Sequence, residues 1–173
     1  MRGAAYRFDI LPLGKGQIGI GPLPGRSRDL AGDLAQLMRF GPGLVISLTG
    51  SDEMTLRGAG KLPARLACAG IPWAHFPITD FGLPDAATDA GWPALSARVQ
   101  AGLAKGERVF VHCKAGLGRS GMVVLRLMIE AGEAPDAALA RLRACRPGTV
   151  ETAAQEDWAR AGAGRGRGDM VKG

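Results

Sequence analysis

The segment from Arg108 to Glu130, RVFVHCKAGLGRSGMVVLRLMIE, constrains the fold of this chain more than any other. The short apolar run at 109 to 111 predicts a buried strand, and the apolar residues after Arg119 recur at the spacing of an amphipathic helix. Between strand and helix lies a loop with two glycines, Gly116 and Gly118. Because glycine tolerates backbone conformations closed to other residues, this loop can turn tightly at the strand's end.

Such a loop suits the binding of a phosphate group and attack on a phosphate ester. Successive N–H groups of a tight turn can point into one anion-binding concavity, and the following helix adds the positive end of its dipole. Arg119 offers a planar guanidinium that can hold two phosphate oxygens. Cys113 ends the strand, five residues separate it from Arg119, and the positive surroundings favour a thiolate nucleophile. A buried cysteine is usually only a small apolar residue, but here strand, glycines and helix all support the catalytic interpretation.

The run HCKAGLGRSG at 112 to 121 resembles the signature His-Cys-x5-Arg-Ser/Thr of the cysteine-based protein tyrosine phosphatase superfamily. It is most similar to dual-specificity phosphatases of the Cdc14 and kinase-associated-phosphatase type, and we expect a bacterial member. Further segments resemble this group in the family's order: IGIGPLPG (18–25), the helix at 33–37, VISLTGSDEM (45–54), FPITDFGLPD (76–85) and RPGTVETAAQE (146–156). The resemblance implies a protein-tyrosine or dual-specificity phosphatase that forms a cysteinyl-phosphate intermediate.

The resemblance also implies roles for the residues of the loop. Cys113 is the nucleophile, and Arg119 binds the equatorial phosphate oxygens and stabilises the charge that grows in the transition state. Ser120 donates a hydrogen bond to the Cys113 sulfur, which eases the departure of the thiolate in the second step. The remaining phosphate contacts come from the loop residues Lys114, Ala115, Gly116, Leu117 and Gly118.

The same chemistry needs a carboxyl group. The leaving oxygen must be protonated and a water later activated, and one acid can do both in turn. Asp80, in PITDFGLPD, follows a predicted strand, precedes Cys113 by 33 residues and matches the family's general-acid position. Asp85 on the same loop is the alternative acid, and Asp89 is expected to cap a helix.

Four residues outside the loop complete the sequence-based picture of the site. His112 is expected to position the loop and support the thiolate rather than act as a base. Gln155 matches a recurrent glutamine of the relatives and either orients a water or lies on a helix surface. Cys68 and Cys145 are interpreted as packing residues, the alternative being that one of them forms a disulfide with an oxidised Cys113.

Length and patterning predict a single phosphatase domain over residues 1–162, followed by a flexible basic Gly/Arg tail at 163–173. Predicted strands alternate with predicted helices along the domain. We therefore expect an α/β fold with a central, mostly parallel sheet of four to five strands and helices on both faces. The resemblance implies the same fold.

Composition limits the partners. No apolar run approaches the roughly 20 residues that span a bilayer, and the N-terminus lacks the pattern of a signal peptide. The three cysteines are too few for a disulfide framework and favour a reducing, cytoplasmic location. We expect a monomer with no metal, no cofactor, no nucleic acid and no membrane partner. Of the net charge of +6, half lies from residue 160 onward, and the rest suits attraction of dianionic phosphoesters.

Three other functions compete with a phosphoprotein phosphatase. A phosphoinositide or other small phosphoester phosphatase is favoured by Lys114, which matches the first loop lysine of such lipid phosphatases, but Leu117 replaces their second. A rhodanese-like sulfurtransferase also uses a loop cysteine, but without this Arg-Ser pair and upstream acid. A catalytically dead phosphate-binding module has no need of the Cys113 thiol. Preference among phosphorylated residues depends on pocket depth, which loop geometry sets.

Overall fold

The structure, a computed structural model, describes residues 6–164. Its centre is a five-stranded sheet with β1 (Asp9–Leu13), β2 (Gly16–Pro22), β3 (Leu44–Ser47), β4 (Trp73–His75) and β5 (Arg108–Cys113). The strand order is β1-β2-β5-β3-β4. Only β1 pairs antiparallel, with β2, and the other neighbours are parallel. The predicted mostly parallel sheet is confirmed.

Helices cover both faces of this sheet. Within the described residues they are α1 (Leu30–Phe40), α2 (Ser51–Leu56), α3 (Leu62–Cys68), α4 (Ala86–Ala90), α5 (Trp92–Ala104), α6 (Gly118–Glu130), α7 (Pro135–Cys145) and α8 (Ala153–Arg160). Side chains alternate along β5, so that Val109 and Val111 join a core with α5 to α8 while Phe110 joins a second core with α1 to α3. The sheet thus separates two apolar layers, as expected of this fold class.

Two strands differ from the sequence-based prediction. The alternation of residues 6–10 predicts a strand there, but the observed strand begins only at Asp9. The ring of Phe8 packs edge-on against that of Phe110, with 5.2 Å between the centroids. The segment 73–78 also predicts a strand, but its ladder extends only to His75, although the Phe76 N–H still donates to the Ser47 carbonyl at 3.0 Å. The pattern of apolar residues predicts which side chains are buried, but it does not predict which backbone groups form the ladder. The bounds of the two strands were therefore not predictable from it.

The predicted domain limits fall near or beyond the ends of the described region. The single domain over 1–162 stays a prediction; a 3₁₀ turn, Ala161–Gly164, follows α8. The rest of the predicted tail, from residue 165, lies outside the described residues, as do residues 1–5. Among the helices of residues 6–164, none has the length and apolar character that a bilayer span requires.

The parallel strands bring their carboxyl ends to one edge of the sheet. Pro22 at the end of β2 lies opposite Cys113, and Ser47 at the end of β3 lies opposite His112. The loops that follow these strands therefore meet at the edge where β5 delivers Cys113. Crevices at the carboxyl edge are the usual ligand sites of open α/β sheets.

Candidate active site

The loop from Cys113 to Arg119 curls around the cysteine sulfur. Cys113 is buried, and the Gly116 N–H donates to its Sγ at 3.2 Å. Gly116 has a φ of 74°, and a β-carbon there would overlap the backbone of Gly21 at the end of β2. Only glycine fits, because both the left-handed backbone and the close approach exclude a side chain. The predicted glycine requirement is therefore confirmed at this position.

Four successive carbonyl groups of the loop are bound from outside by neighbouring segments. The pairs are Leu23 N to Lys114 O (3.3 Å), Arg146 Nη2 to Ala115 O (3.0 Å), Arg146 Nε to Gly116 O (2.6 Å) and Val150 N to Leu117 O (3.2 Å). Because the C=O and N–H of a trans peptide point in opposite directions, the N–H groups that follow these carbonyls face the inside of the loop. The Gly116 N–H, which reaches Sγ, is the clearest case. The inward N–H groups form a concavity suited to an anion.

Sequence reasoning missed Arg146, the residue that binds two of these carbonyls. Its Nη1 also bonds Asp9 Oδ2 on β1 at 2.7 Å, and its side chain is only 16% exposed. One guanidinium therefore ties the N-terminal hairpin to the back of the loop. The RPG segment that contains Arg146 is part of the resemblance, but nothing in its sequence identifies which carbonyls the arginine meets.

We expect Arg146→Lys to lower kcat/KM on an aryl phosphate about 10- to 100-fold, because an ammonium group cannot bond both carbonyls and Asp9 with the same geometry. One charge-assisted hydrogen bond is worth about 1.5–3 kcal/mol, and its loss would let the loop relax. The measurement is steady-state kinetics together with the Kd of vanadate. Arg141→Lys is the matched control, since Arg141 also bonds a carbonyl and a carboxylate, those of Pro12 and Glu133. Equal kinetics for the two variants would contradict this role.

Arg119 is buried at the start of α6, and three hydrogen bonds fix the orientation of its guanidinium. Glu53 of α2 binds it with both oxygens, at 2.8 and 2.9 Å, and the Ile78 carbonyl accepts from Nη1 at 3.0 Å. Burial lowers the pKa of Arg119, but the hydrogen bonds of Glu53 and the charges of Cys113, Glu53 and Asp80 raise it above its usual value. Glu53 lies within VISLTGSDEM, yet sequence reasoning gave it no role. The structure shows that it fixes the arginine's orientation.

Asp80 reaches the same arginine from the loop after β4. Its Oδ1 lies 3.2 Å from Arg119 Nη2, and its Oδ2 accepts from Lys114 Nζ at 2.7 Å. Partial burial raises the pKa of Asp80, but the Lys114 hydrogen bond and the charges of Arg119 and Lys114 outweigh it and hold the pKa below its usual value. The candidate acid is thus next to the loop, and it is ionised in this arrangement.

The alternative acid lies elsewhere. Asp85 is the N-cap of α4, where its Oδ1 accepts from the Thr88 N–H at 2.7 Å. The expectation that Asp89 caps a helix is wrong, because Asp89 lies inside α4 and accepts from Trp158 Nε1 at 2.9 Å. Within residues 6–164, neither carboxylate hydrogen-bonds to Cys113 or Arg119. This placement favours Asp80.

His112 is fully buried and neutral. Its Nε2 lies 2.6 Å from Ser47 Oγ, which also accepts from Trp73 Nε1 at 2.8 Å. Burial, with a further contribution from the Arg119 charge, lowers the pKa of His112 to about 3. A histidine that stays uncharged and bound to β3 suits the predicted positioning role and not that of a base.

Ser120 and Gln155 are both completely buried near the loop. The expected hydrogen bond from Ser120 to Cys113 is not formed, and Ser120 Oγ has no partner among the described residues. The helix-surface interpretation of Gln155 is wrong: its Oε1 accepts from the Glu151 N–H at 3.0 Å, while its Nε2 is unpartnered within residues 6–164. Buried polar atoms rarely lack hydrogen-bond partners. Both unpartnered groups are therefore suited to hydrogen-bond a bound substrate, a water or the cysteine sulfur during the reaction.

The remaining cysteines differ from each other. Cys68 is exposed on α3, so its assignment as a packing residue is wrong, whereas Cys145 is half-buried and its Sγ lies 3.6 Å from the Ile10 carbonyl oxygen. Burial raises the pKa of the Cys145 thiol. All three cysteines are free. No cluster of His, Cys, Asp and Glu within the described part of the chain has the composition of a metal site.

A family model described as "Polymorphic toxin system, DSP-PTPase phosphatase" matches residues 18–133. The chain belongs to this family. The match includes Asp80, Cys113 and Arg119. The predicted class, a protein-tyrosine or dual-specificity phosphatase, is confirmed by this membership.

Solved structures share the fold over nearly the whole chain. Kinase-associated phosphatase with its catalytic-site cysteine replaced by serine has a TM-score of 0.80 at 20% identity, over 98% of this chain and 100% of that one. Tk-PTP in its active form has a TM-score of 0.63 at 24% identity, covering 95% and 99%. Human DUSP28 has a TM-score of 0.64 at 16% identity, covering 94% and 98%. These likenesses confirm the predicted dual-specificity phosphatase fold.

Proposed function

We propose that this phosphatase hydrolyses phosphate monoesters on proteins through a cysteinyl-phosphate at Cys113. The observation that carries the proposal is the convergence on one loop of a buried thiol, an oriented arginine and a carboxylate. The Cys113 sulfur faces inward N–H groups, Arg119 is held by Glu53, and Asp80 lies 3.2 Å from that arginine. Nucleophile, phosphate ligand and acid are the parts that this chemistry requires.

In the first step the Cys113 thiolate attacks phosphorus, an S–P bond forms and the P–O bond to the substrate breaks. The loop N–H groups and Arg119 bind the non-bridging oxygens, where charge grows in the transition state. Asp80 gives its proton to the departing oxygen. Asp80 must therefore be protonated when the ester is bound. The phosphate helps, because its negative charge engages Arg119 and raises the pKa of a neighbouring carboxyl group.

In the second step water attacks phosphorus, the S–P bond breaks and phosphate leaves. The Asp80 carboxylate takes the proton of the attacking water, so one residue is acid and then base. The unpartnered Ser120 hydroxyl supports this step by donating to the departing sulfur after rotation about its side chain. The unpartnered Nε2 of Gln155 supports orientation of the water. Because Asp80 takes this proton, it is protonated again at the end of the second step.

The proposed substrate class is a phosphorylated protein. The second candidate is a phosphoinositide, since a solved neighbour is PTPMT1 in complex with PI(5)P, with a TM-score of 0.65 at 18% identity. Two residues favour the protein: Leu117 offers no second loop lysine, and Lys114 is engaged by Asp80. From the family's description we infer a role in a polymorphic toxin system. The three free cysteines support a cytoplasmic site of action, and we propose that the enzyme acts as a monomer.

The test is turnover of phosphotyrosine, phosphoserine and phosphothreonine peptides and of phosphoinositide vesicles by the purified chain, with a metal chelator present. We expect phosphate release from peptides, and rapid quenching with labelled substrate should trap label on Cys113. Release from vesicles alone would favour the lipid candidate. No release from any ester, or turnover that the chelator abolishes and a divalent cation restores, would contradict the proposal.

A further inference from the structure

A cavity of about 470 Å³ opens beside the catalytic loop. It is lined by Tyr6, Arg7, Pro22, Leu23, Arg26, Ser27 and Asp33. Pro22 pairs with Cys113 across the sheet, and Arg26 Nη1 lies 3.3 Å from the carbonyl oxygen of Lys114, the residue after the nucleophile. Two residues of its lining therefore neighbour the start of the catalytic loop, on the same edge of the sheet.

Two arginines without a carboxylate partner among the described residues line this cavity. Arg7 and Arg26 are exposed, and neither forms an ion pair with any residue between 6 and 164. Asp33, the one acid that lines the cavity among residues 6–164, is 4% exposed, and its Oδ2 accepts from the Gly25 N–H at 2.8 Å. Burial also raises the pKa of Asp33 above its usual value.

The arginines lie next to apolar surface. Pro22 is half-buried and offers apolar surface to the cavity, whereas Leu23 is fully buried and Tyr6 nearly so; the Tyr6 hydroxyl already donates to the Pro22 carbonyl at 2.6 Å. The wall therefore combines apolar surface with two guanidinium groups. This combination matches a short acidic peptide, whose methylene groups pack on the wall while its carboxylates pair with guanidinium.

We propose that this cavity is a substrate subsite for an acidic stretch next to the phosphorylated residue. The inference rests on the proposed function, because it concerns the polypeptide whose phosphate enters the loop. The size of the cavity exceeds that of a single carboxylate and accommodates a few residues of chain. The subsite thus selects acidic phosphopeptides over neutral and basic ones.

The experiment uses three peptides with the same phosphorylated residue and flanking glutamates, alanines or lysines. We expect the wild-type kcat/KM to fall from glutamate to alanine to lysine, with a ratio of about fivefold between glutamate and alanine, the size expected of two exposed charge pairs. This ratio should approach one in Arg7→Gln/Arg26→Gln. The matched control is Arg39→Gln/Arg98→Gln, which removes two exposed arginines that do not line the cavity and should keep the ratio.

The outcomes separate this inference from the proposed function. If all three peptides are hydrolysed at one rate, or if both double variants lower the ratio equally, the subsite is refuted while the phosphatase stands. If no peptide is hydrolysed by the wild type, the proposed function itself fails. A preference for a second phosphate over glutamate, measured with a doubly phosphorylated peptide, would overturn the assignment to acidic side chains.

Discussion

Cys113→Ser is expected to abolish turnover and to leave phosphate binding nearly intact. A serine hydroxyl is a far weaker nucleophile at neutral pH, and removal of the nucleophile costs on the order of 10⁶ in kcat in another covalent hydrolase. Binding survives because the inward N–H groups and Arg119 do not depend on the sulfur. The measurements are kcat on an aryl phosphate and the Kd of inorganic phosphate by titration calorimetry.

Folding is the control for this variant. Cys113 accepts a hydrogen bond from the Gly116 N–H, and a serine oxygen can accept the same bond, so the Tm should stay within a few degrees of wild type. A Cys113→Ser enzyme that turns over near the wild-type rate would refute the covalent mechanism. Loss of both activity and phosphate binding at an unchanged Tm would show that the sulfur shapes the loop.

Asp80→Asn should lower kcat about 10² to 10⁴-fold on alkyl phosphates, the range attributed to general acid catalysis. Activated aryl esters should lose far less, because a stable phenolate leaves without a proton. Asp85→Asn is the matched control: Asp85 lies on the same loop, but it is the N-cap of α4, and its replacement should leave the leaving-group dependence unchanged. The opposite result would move the acid to Asp85 without changing the reaction class.

The pH profile follows from the lowered pKa of Asp80. The acid works only when protonated, so activity is lost as the pH rises through its pKa. In kcat/KM this alkaline limb reports the free enzyme, where Lys114 and Arg119 favour the carboxylate; in kcat it reports the complex, where bound phosphate opposes ionisation. The alkaline limb of kcat/KM should therefore lie at lower pH than that of kcat. Asp80→Asn should flatten the alkaline limb in kcat/KM and in kcat. If the two alkaline limbs of the wild type lie at the same pH, Lys114 and Arg119 do not hold the pKa of Asp80 down in the free enzyme.

Sequence could predict the parts of this site that are close together in the chain. The strand, glycine loop and helix around Cys113 carry their own local signals, and the structure places Arg119 where those signals indicate. Asp80 needed the resemblance, because an aspartate beside Phe-Gly is equally a turn residue. The helix cap was assigned to the wrong residue, Asp89, because both it and Asp85 precede apolar helical positions and only backbone geometry distinguishes them.

Glu53 and Arg146 could not be found this way. Glu53 is 66 residues from Arg119 in the chain, and Arg146 is 137 residues from Asp9. No periodicity or spacing connects such pairs, since the tertiary fold alone brings them together. Gln155 shows the converse: a polar residue near a helix start predicts exposure, yet the helix packs that side chain into the interior.

Two residues that bind the catalytic loop from outside, Arg146 and Val150, are synthesised after the loop itself. A chain that ends at residue 133 already contains Asp80, Cys113 and Arg119, but it lacks Arg146 and Val150. Three of the four bound loop carbonyls would then have lost the donors that come after α7. Such a chain would contain the nucleophile, the arginine and the acid and would still be inactive. Phosphatase activity therefore depends on the residues after α7 as well as on the catalytic motif.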